Sequence, residues 1–244
     1  QNLAEAFDMA TGEPFDWNDE SMRSRMFVAS ARDPRFARTL IYNGATFKGQ
    51  PVQSYVGGRN GRPLDGATPT SYYLRKHIVE ATSFVTGSEM SYQHIFPFFR
   101  YAEVLLNYAE ALAAATQNPD FTGMKGEVEY TLSPREALNA VRARYNMPGI
   151  TETDYAAFVK RLRNERRVEL AFEGHRFWDI RRWKIGAETT KVYGLTITPQ
   201  NDGSFSYMRS VIQQRGWEDR MNFYPIADAE LFKNHNLVQN DGWK

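Results

Sequence analysis

Between about Phe98 and Trp183 apolar side chains return at helical spacing, and this stretch most constrains what the chain can fold into. Tyr101, Leu105, Tyr108 and Leu112 fall at i, i+4, i+7 and i+11, a single stripe along one helix. The small residues Ala102, Ala109, Ala111 and Ala113 let a neighbouring helix approach closely. Ser133-Pro134-Arg135-Glu136 announces a second helix: a serine cap, a proline at the first helical position and a glutamate to complete a capping box. That helix turns Ala137, Leu138 and Val141 inward and stops at Asn146-Met147-Pro148-Gly149. A third begins near Thr153 or Asp154, aligns Tyr155, Phe158, Val159 and Leu162, and runs to Gly174. A short fourth spans His175 to Trp183. Phe172, Phe177, Trp178 and Trp183 occupy apolar registers and are expected in the core. The pattern predicts a mostly α fold of antiparallel helical hairpins.

On either side the chain is irregular. Residues 1–97 are loop-rich, with turn signals at Thr11-Gly12, Asn43-Gly44, Gly57-Gly58, Asn60-Gly61 and Asp65-Gly66. Short strand-like pieces lie at Thr39-Tyr42 and Ser71-Leu74. Residues 98–185 form the helical core, and 186–244 are expected to be irregular again. There Gly194, Pro199 and Asn201-Asp202-Gly203 read as breakers, and a short helix is expected from Asp228 to Lys233. With no Pro/Ser-rich linker and no low-complexity tract, residues 1–244 read as one unit.

Composition excludes several classes. There are no cysteines, so disulfide scaffolds, thiolate metal sites and cysteine nucleophiles are ruled out. The net charge of +1 gives no basis for a nucleic-acid partner. No run of apolar residues is long enough for a transmembrane helix. Because it opens at Gln1 in what reads as ordinary folded sequence, the chain is expected to be a piece of something longer. The 16 Phe, 13 Tyr and 5 Trp suit a protein that stacks rings against sugar faces.

A search for catalytic chemistry finds little. No G-x-S-x-G elbow occurs, and His77, His94, His175 and His235 are scattered. Gly57-Gly58-Arg59-Asn60-Gly61 lacks the Lys-Ser/Thr pair of a phosphate loop and reads as a flexible surface loop. Glu173, His175 and Asp179 are separated by a helix break at Gly174, so no metal site and no cofactor is expected. From Arg161 to Leu170 arginines alternate with Glu165 and Glu169, which reads as pairing at i+3 and i+4 and with neighbouring helices rather than as an anion site.

Several blocks, in order along nearly the whole chain, resemble the SusD/RagB family. They are Arg32-Asp33-Pro34-Arg35-Phe36, Tyr72-Tyr73-Leu74-Arg75-Lys76, the stretch from Phe99 to Ala111, Ala137 to Arg144, Glu165 to Trp183, Phe223-Tyr224-Pro225-Ile226 and Asn236 to Asn240. The resemblance implies tetratricopeptide-like helix pairs beneath a loop-rich ligand face. It also implies a non-enzymatic receptor, lipid-anchored on the outer membrane at the cell surface. Such a receptor binds oligosaccharides and passes them to a SusC-like TonB-dependent transporter. On this reading the N-terminal half of the full-length protein, with its lipidated cysteine, is absent. A RagB-like peptide receptor, a surface glycoside hydrolase and a protein-binding scaffold remain alternatives. Sugar capture needs exposed rings to stack on C–H faces and polar groups for hydroxyls. The irregular stretch before Phe96 supplies both, and Trp17, Tyr42, Phe47, Tyr55, Arg59 and Asn60 are the expected ligand contacts.

Overall fold

A computed structural model describes residues 1–93 and 95–243; His94 and Lys244 lie outside the described residues. Three short helices come first: α1 (Asn2–Ala6), α2 (Glu20–Ser24) and α3 (Pro34–Thr39). Four two-residue strands follow: β1 (Leu40–Ile41), β2 (Thr46–Phe47), β3 (Gln50–Pro51) and β4 (Tyr73–Leu74). The frame is then built by α4 (Tyr101–Thr116), the small hairpin β5 (Gly123–Lys125) and β6 (Val128–Tyr130), α5 (Pro134–Ala143), α6 (Tyr155–Glu169) and α7 (His175–Arg182). A long hairpin, β7 (Lys191–Pro199) and β8 (Phe205–Gln214), precedes α8 (Asp228–Lys233). The architecture is mostly helical with short antiparallel strand pairs.

Local chemistry starts the helices where the sequence places them. Ser133 and Glu136 form the reciprocal capping box of α5, with Glu136 Oε2 accepting from the Ser133 N–H at 2.8 Å. Asp154 caps α6 by accepting from the Ala157 N–H at 2.8 Å. These helices meet in one core: Leu106, Ala109 and Ala113 of α4, Ala137, Leu138 and Val141 of α5, and Phe158 and Leu162 of α6. The buried stripe of α4 is therefore rotated from the expected one. Its alanine side faces the core, which brings the helices close, while Tyr101 is exposed and Leu105 and Tyr108 sit at the flank.

A second core lies among the N-terminal loops. Phe7, Phe36, Ile41, Tyr42, Val52 and Tyr72 pack there with Leu195 and Ile197 from β7 and Val168 from α6. Arg32 threads it, stacked on Phe15 and Phe36 and donating to the carbonyls of Met26, Ala4 and Phe7. The two strand-like pieces of the sequence pair with each other, Leu40 opposite Leu74 and Ile41 opposite Tyr73.

The β7–β8 hairpin corrects the expectation of an irregular tail. Gly194 looked like a breaker, yet it sits mid-strand because a Cβ there would lie 2.7 Å from the Pro69 carbonyl and 2.6 Å from Ile212. Asn201-Asp202-Gly203 does turn the chain, but as the tip of the hairpin. Asp202 Oδ1 accepts from the Ser204 N–H at 2.9 Å, and Gly203 adopts φ +82°.

Between the two cores runs a buried ion network. Arg35 of α3 donates to Asp33 at 2.6 Å, to Glu165 at 2.5 Å and to Glu169 at 3.0 Å. Arg142 of α5 bridges Glu165 at 2.7 Å and Asp8 at 3.1 Å, and Arg161 reaches the same Asp8 at 2.9 Å. Arg100, at the start of α4, grips Glu173 through two nitrogens, each at 2.8 Å, and also reaches Glu169. The expected pairing of α6 with neighbouring helices is present, whereas the expected pairing at i+3 and i+4 within α6 is corrected: its acids and bases reach other elements instead. Arg166, for example, pairs with Asp179 of α7 at 2.8 Å.

Two further expectations change. The third helix ends at Glu169 rather than Gly174, because Phe172 and Gly174 adopt positive φ and swing Glu173 toward Arg100 and Lys76. Of the four aromatic residues expected in the core, Trp183 alone is buried. Trp178 is 61% exposed, and Phe172 and Phe177 are also substantially exposed. α7 turns its Asp179 side inward to Arg166, which leaves Phe177 and Trp178 outside, packed against Tyr224.

Three outcomes follow for stability. Phe158→Ala should cost about 3–5 kcal/mol in urea unfolding, whereas Trp178→Ala should stay within about 0.5 kcal/mol. Arg35→Met removes the cation shared by buried Asp33, Glu165 and Glu169, leaving Asp33 with no ion-pair partner among the described residues and the other two with Arg142 and Arg100. It should cost about 3–5 kcal/mol; a loss below about 1 kcal/mol would show the network to be dispensable. Burial alone would raise the pKa of Glu173 and Glu110. Hydrogen bonds from Arg100 and Lys76 to the first, and from Arg182 and Trp183 to the second, outweigh it and hold both below the usual carboxylate range. Lowered folded-state pKa values stabilise above the unfolded value, and that contribution is lost as pH falls through the folded one. Melting temperature should therefore drop on acidification below about pH 4.3, and Glu173→Gln should flatten that fall.

Candidate ligand-binding cleft

The loops from Leu40 to Ile78 enclose a cleft beside the second core. Its floor is the β1–β4 pair, which contributes Ile41, Tyr73 and Leu74. One wall is the β2–β3 hairpin, turned at Lys48-Gly49 with φ +49° and +73° as a two-residue hairpin requires, and carrying Phe47. The other wall is the segment around Asn60 and Leu64 to Ala67. The cleft has a volume of about 390 Å3, within the range typical of small-molecule sites.

The glycine-rich segment that forms this wall is pinned rather than loose. Gly57 donates to the Arg62 carbonyl at 2.7 Å and Asn60 to the Gln53 carbonyl at 3.0 Å. The chain folds so tightly on itself that a Cβ at Gly61 would overlap the Tyr55 carbonyl, at 1.9 Å. Asn60 is held twice more: its Oδ1 accepts from the Gln53 N–H at 3.0 Å and its carbonyl accepts from the Tyr73 hydroxyl at 2.6 Å.

Of the six residues expected to contact ligand, Phe47 and Asn60 both line the cleft. Tyr42 is 5% exposed, its ring packed 5.4 Å from Phe27 and 4.8 Å from Phe36, so it offers no face to a sugar. Trp17 is half-buried against the second core, and Arg23 donates to its carbonyl at 3.0 Å. Tyr55 packs 5.2 Å from Phe205, and Arg59 spends a guanidinium nitrogen on the Pro51 carbonyl at 2.5 Å. These three lie outside the cleft lining. Sequence reasoning missed Leu64, Asp65, Tyr73 and Ile78. The Asp65-Gly66 turn signal and the short strand at Tyr73 marked their positions, but not their convergence.

A second cavity of about 310 Å3 lies beyond the segment that follows β4, lined by Arg35, Arg38, Lys76, Arg100, Tyr145, Glu169 and Glu173. Its acids are spent on cations: Glu173 accepts from Lys76 at 2.6 Å, and Glu169 from Arg35 and Arg100. A general acid for glycoside cleavage needs a raised pKa, and Glu173 is held low instead. This cavity is the outer face of the ion network.

Comparison with known proteins agrees with this architecture. The sequence pattern described as the SusD family matches residues 1–243. The SusD-like protein P2 of Formosa agariphila is 33% identical over 146 residues, covering 58% of this chain and 24% of that protein. A solved SusD-like protein from Bacteroides fragilis superposes with a TM-score of 0.77 at 28% identity, covering 99% of this chain and 46% of that one. A second structure from the same species, described as a SusD-like carbohydrate-binding protein, gives 0.70 at 30% identity over 97% of this chain and 47% of that one. The chain thus spans less than half the length of these relatives. On its sequence and its fold alike, this chain belongs to the SusD family.

Proposed function

We propose that the chain forms part of a non-enzymatic glycan receptor that captures oligosaccharides at the cell surface and passes them to a SusC-like TonB-dependent transporter. In the full-length protein a lipid anchor on a preceding segment holds it to the outer membrane. The observation that carries this reading is family membership together with a relative, 30% identical over 97% of this chain, that is described as carbohydrate-binding. The cleft supports it. Phe47 and Tyr73 offer rings for stacking on C–H faces, and Asn60 and Asp65 offer polar groups to hydroxyls. Capture for import requires reversible binding, and a cleft lined by one carboxylate, Asp65, rather than the pair that glycoside hydrolysis uses, suits that task.

Calorimetry on the full-length protein tests the placement. Phe47→Ala should weaken oligosaccharide affinity severalfold with little change in melting temperature, since loss of a ring contact costs on the order of 1 kcal/mol. Trp17→Ala should leave affinity unchanged. The reverse pattern would move the site to the Trp17 loop.

A further inference from the structure

Resting on that reading, we infer that the cleft selects an uncharged sugar unit bearing a methyl or acetyl group, a 6-deoxy or N-acetyl sugar, and discriminates against uronic acid and sulfated units. The juxtaposition that carries the inference is an aliphatic wall facing a single unpaired carboxylate.

Ile41, Val52, Leu64, Leu74 and Ile78 all line the cleft, so most of its surface offers no hydrogen bond. The polar inventory is short. Asn60 has committed its Oδ1, its N–H and its carbonyl to Gln53 and Tyr73, which leaves its Nδ2 amide as a donor. The Tyr73 hydroxyl has given its proton to the Asn60 carbonyl. Asp65 has no hydrogen-bond or ion-pair partner among the described residues, so its carboxylate is free to accept from one or two hydroxyls. A ring with hydroxyls on every carbon would press several of them against aliphatic side chains, where an unmet hydrogen bond is costly. Replacing one by a methyl, or adding an acetyl, converts that cost into apolar burial.

Charge decides the second half. No Lys, Arg or His side chain lines the cleft among the described residues. Arg59 is engaged with the Pro51 carbonyl, and Arg75 with Ala37, Thr46 and Glu80. An anionic sugar would meet Asp65 with no compensating cation. A peptide is disfavoured by geometry, because the strands bordering the cleft are two residues long and offer no edge for strand addition.

Saturation-transfer NMR with full-length protein tests this, using methyl glycosides of fucose, N-acetylglucosamine, glucose and glucuronic acid. The strongest transfer should fall on the fucose 6-methyl and the acetyl methyl, and both sugars should bind more tightly than glucose. The glucuronide should bind on the order of tenfold more weakly than glucose, and Asp65→Asn should narrow that gap while leaving melting temperature unchanged. Equal affinities, a preferred glucuronide, or a gap untouched by Asp65→Asn would overturn the inference. If those sugars bind and lose affinity in Phe47→Ala, that failure leaves the glycan reading standing. If no glycoside binds, or an apolar dipeptide binds better than any of them, both fall.

Discussion

The structure depends on α6 holding two cores in one arrangement through buried charge. Phe158 and Leu162 enter the helical core, Val168 enters the loop core, and Glu165 and Glu169 lie between them. Both acids are bound by Arg35, which stands beside Phe36 of the loop core, while Arg142 and Arg100 reach them from the helical side. Arginine suits this role because its planar fork donates to several carboxylates at once and stays charged when buried. Paired charges inside a protein add little net stability over apolar residues of the same size. Their directional bonds accept one geometry, however, and here that geometry sets how the loops sit on the helices.

The same network fixes the stretch from Leu40 to Ile78, which forms the cleft. Its ends are anchored: β1 follows α3, which carries Arg35, and Lys76 just beyond β4 pairs with Glu173. Between those anchors the chain closes on itself through backbone and asparagine bonds, so a cleft forms without long secondary structure. A rigid scaffold presenting shaped loops is the usual division of labour in binding proteins.

What the sequence revealed follows from the range of each signal. Caps and turns are local, so the Ser133 box, the Asp154 cap, α8 and the Asn201-Asp202-Gly203 turn were all legible. The β7–β8 hairpin was not, because Gly194 is required by a contact with Pro69, 125 residues earlier in the chain. The same limit governs the aromatics. Tyr42 and Phe47 lie five positions apart with similar polar neighbours, yet the first closes against Phe27 and Phe36 while the second faces the cleft. Trp178 sits in an apolar helical register, but the pairing of Asp179 with Arg166 fixes which side of α7 turns inward. Long-range partners decided each of these.

A frame fixed by buried arginine–carboxylate bonds carries the loop cleft, and the proposed role of that cleft is to hold sugar without altering it. Hydrogen exchange of the full-length protein, with and without a saturating oligosaccharide, tests that claim most directly. New protection should appear within residues 41–78 while the amides of α4, α5 and α6 exchange as before, and the sugar should be recovered at its original length. Protection gathered on the helices instead, or shortened sugar in the recovered sample, would contradict it.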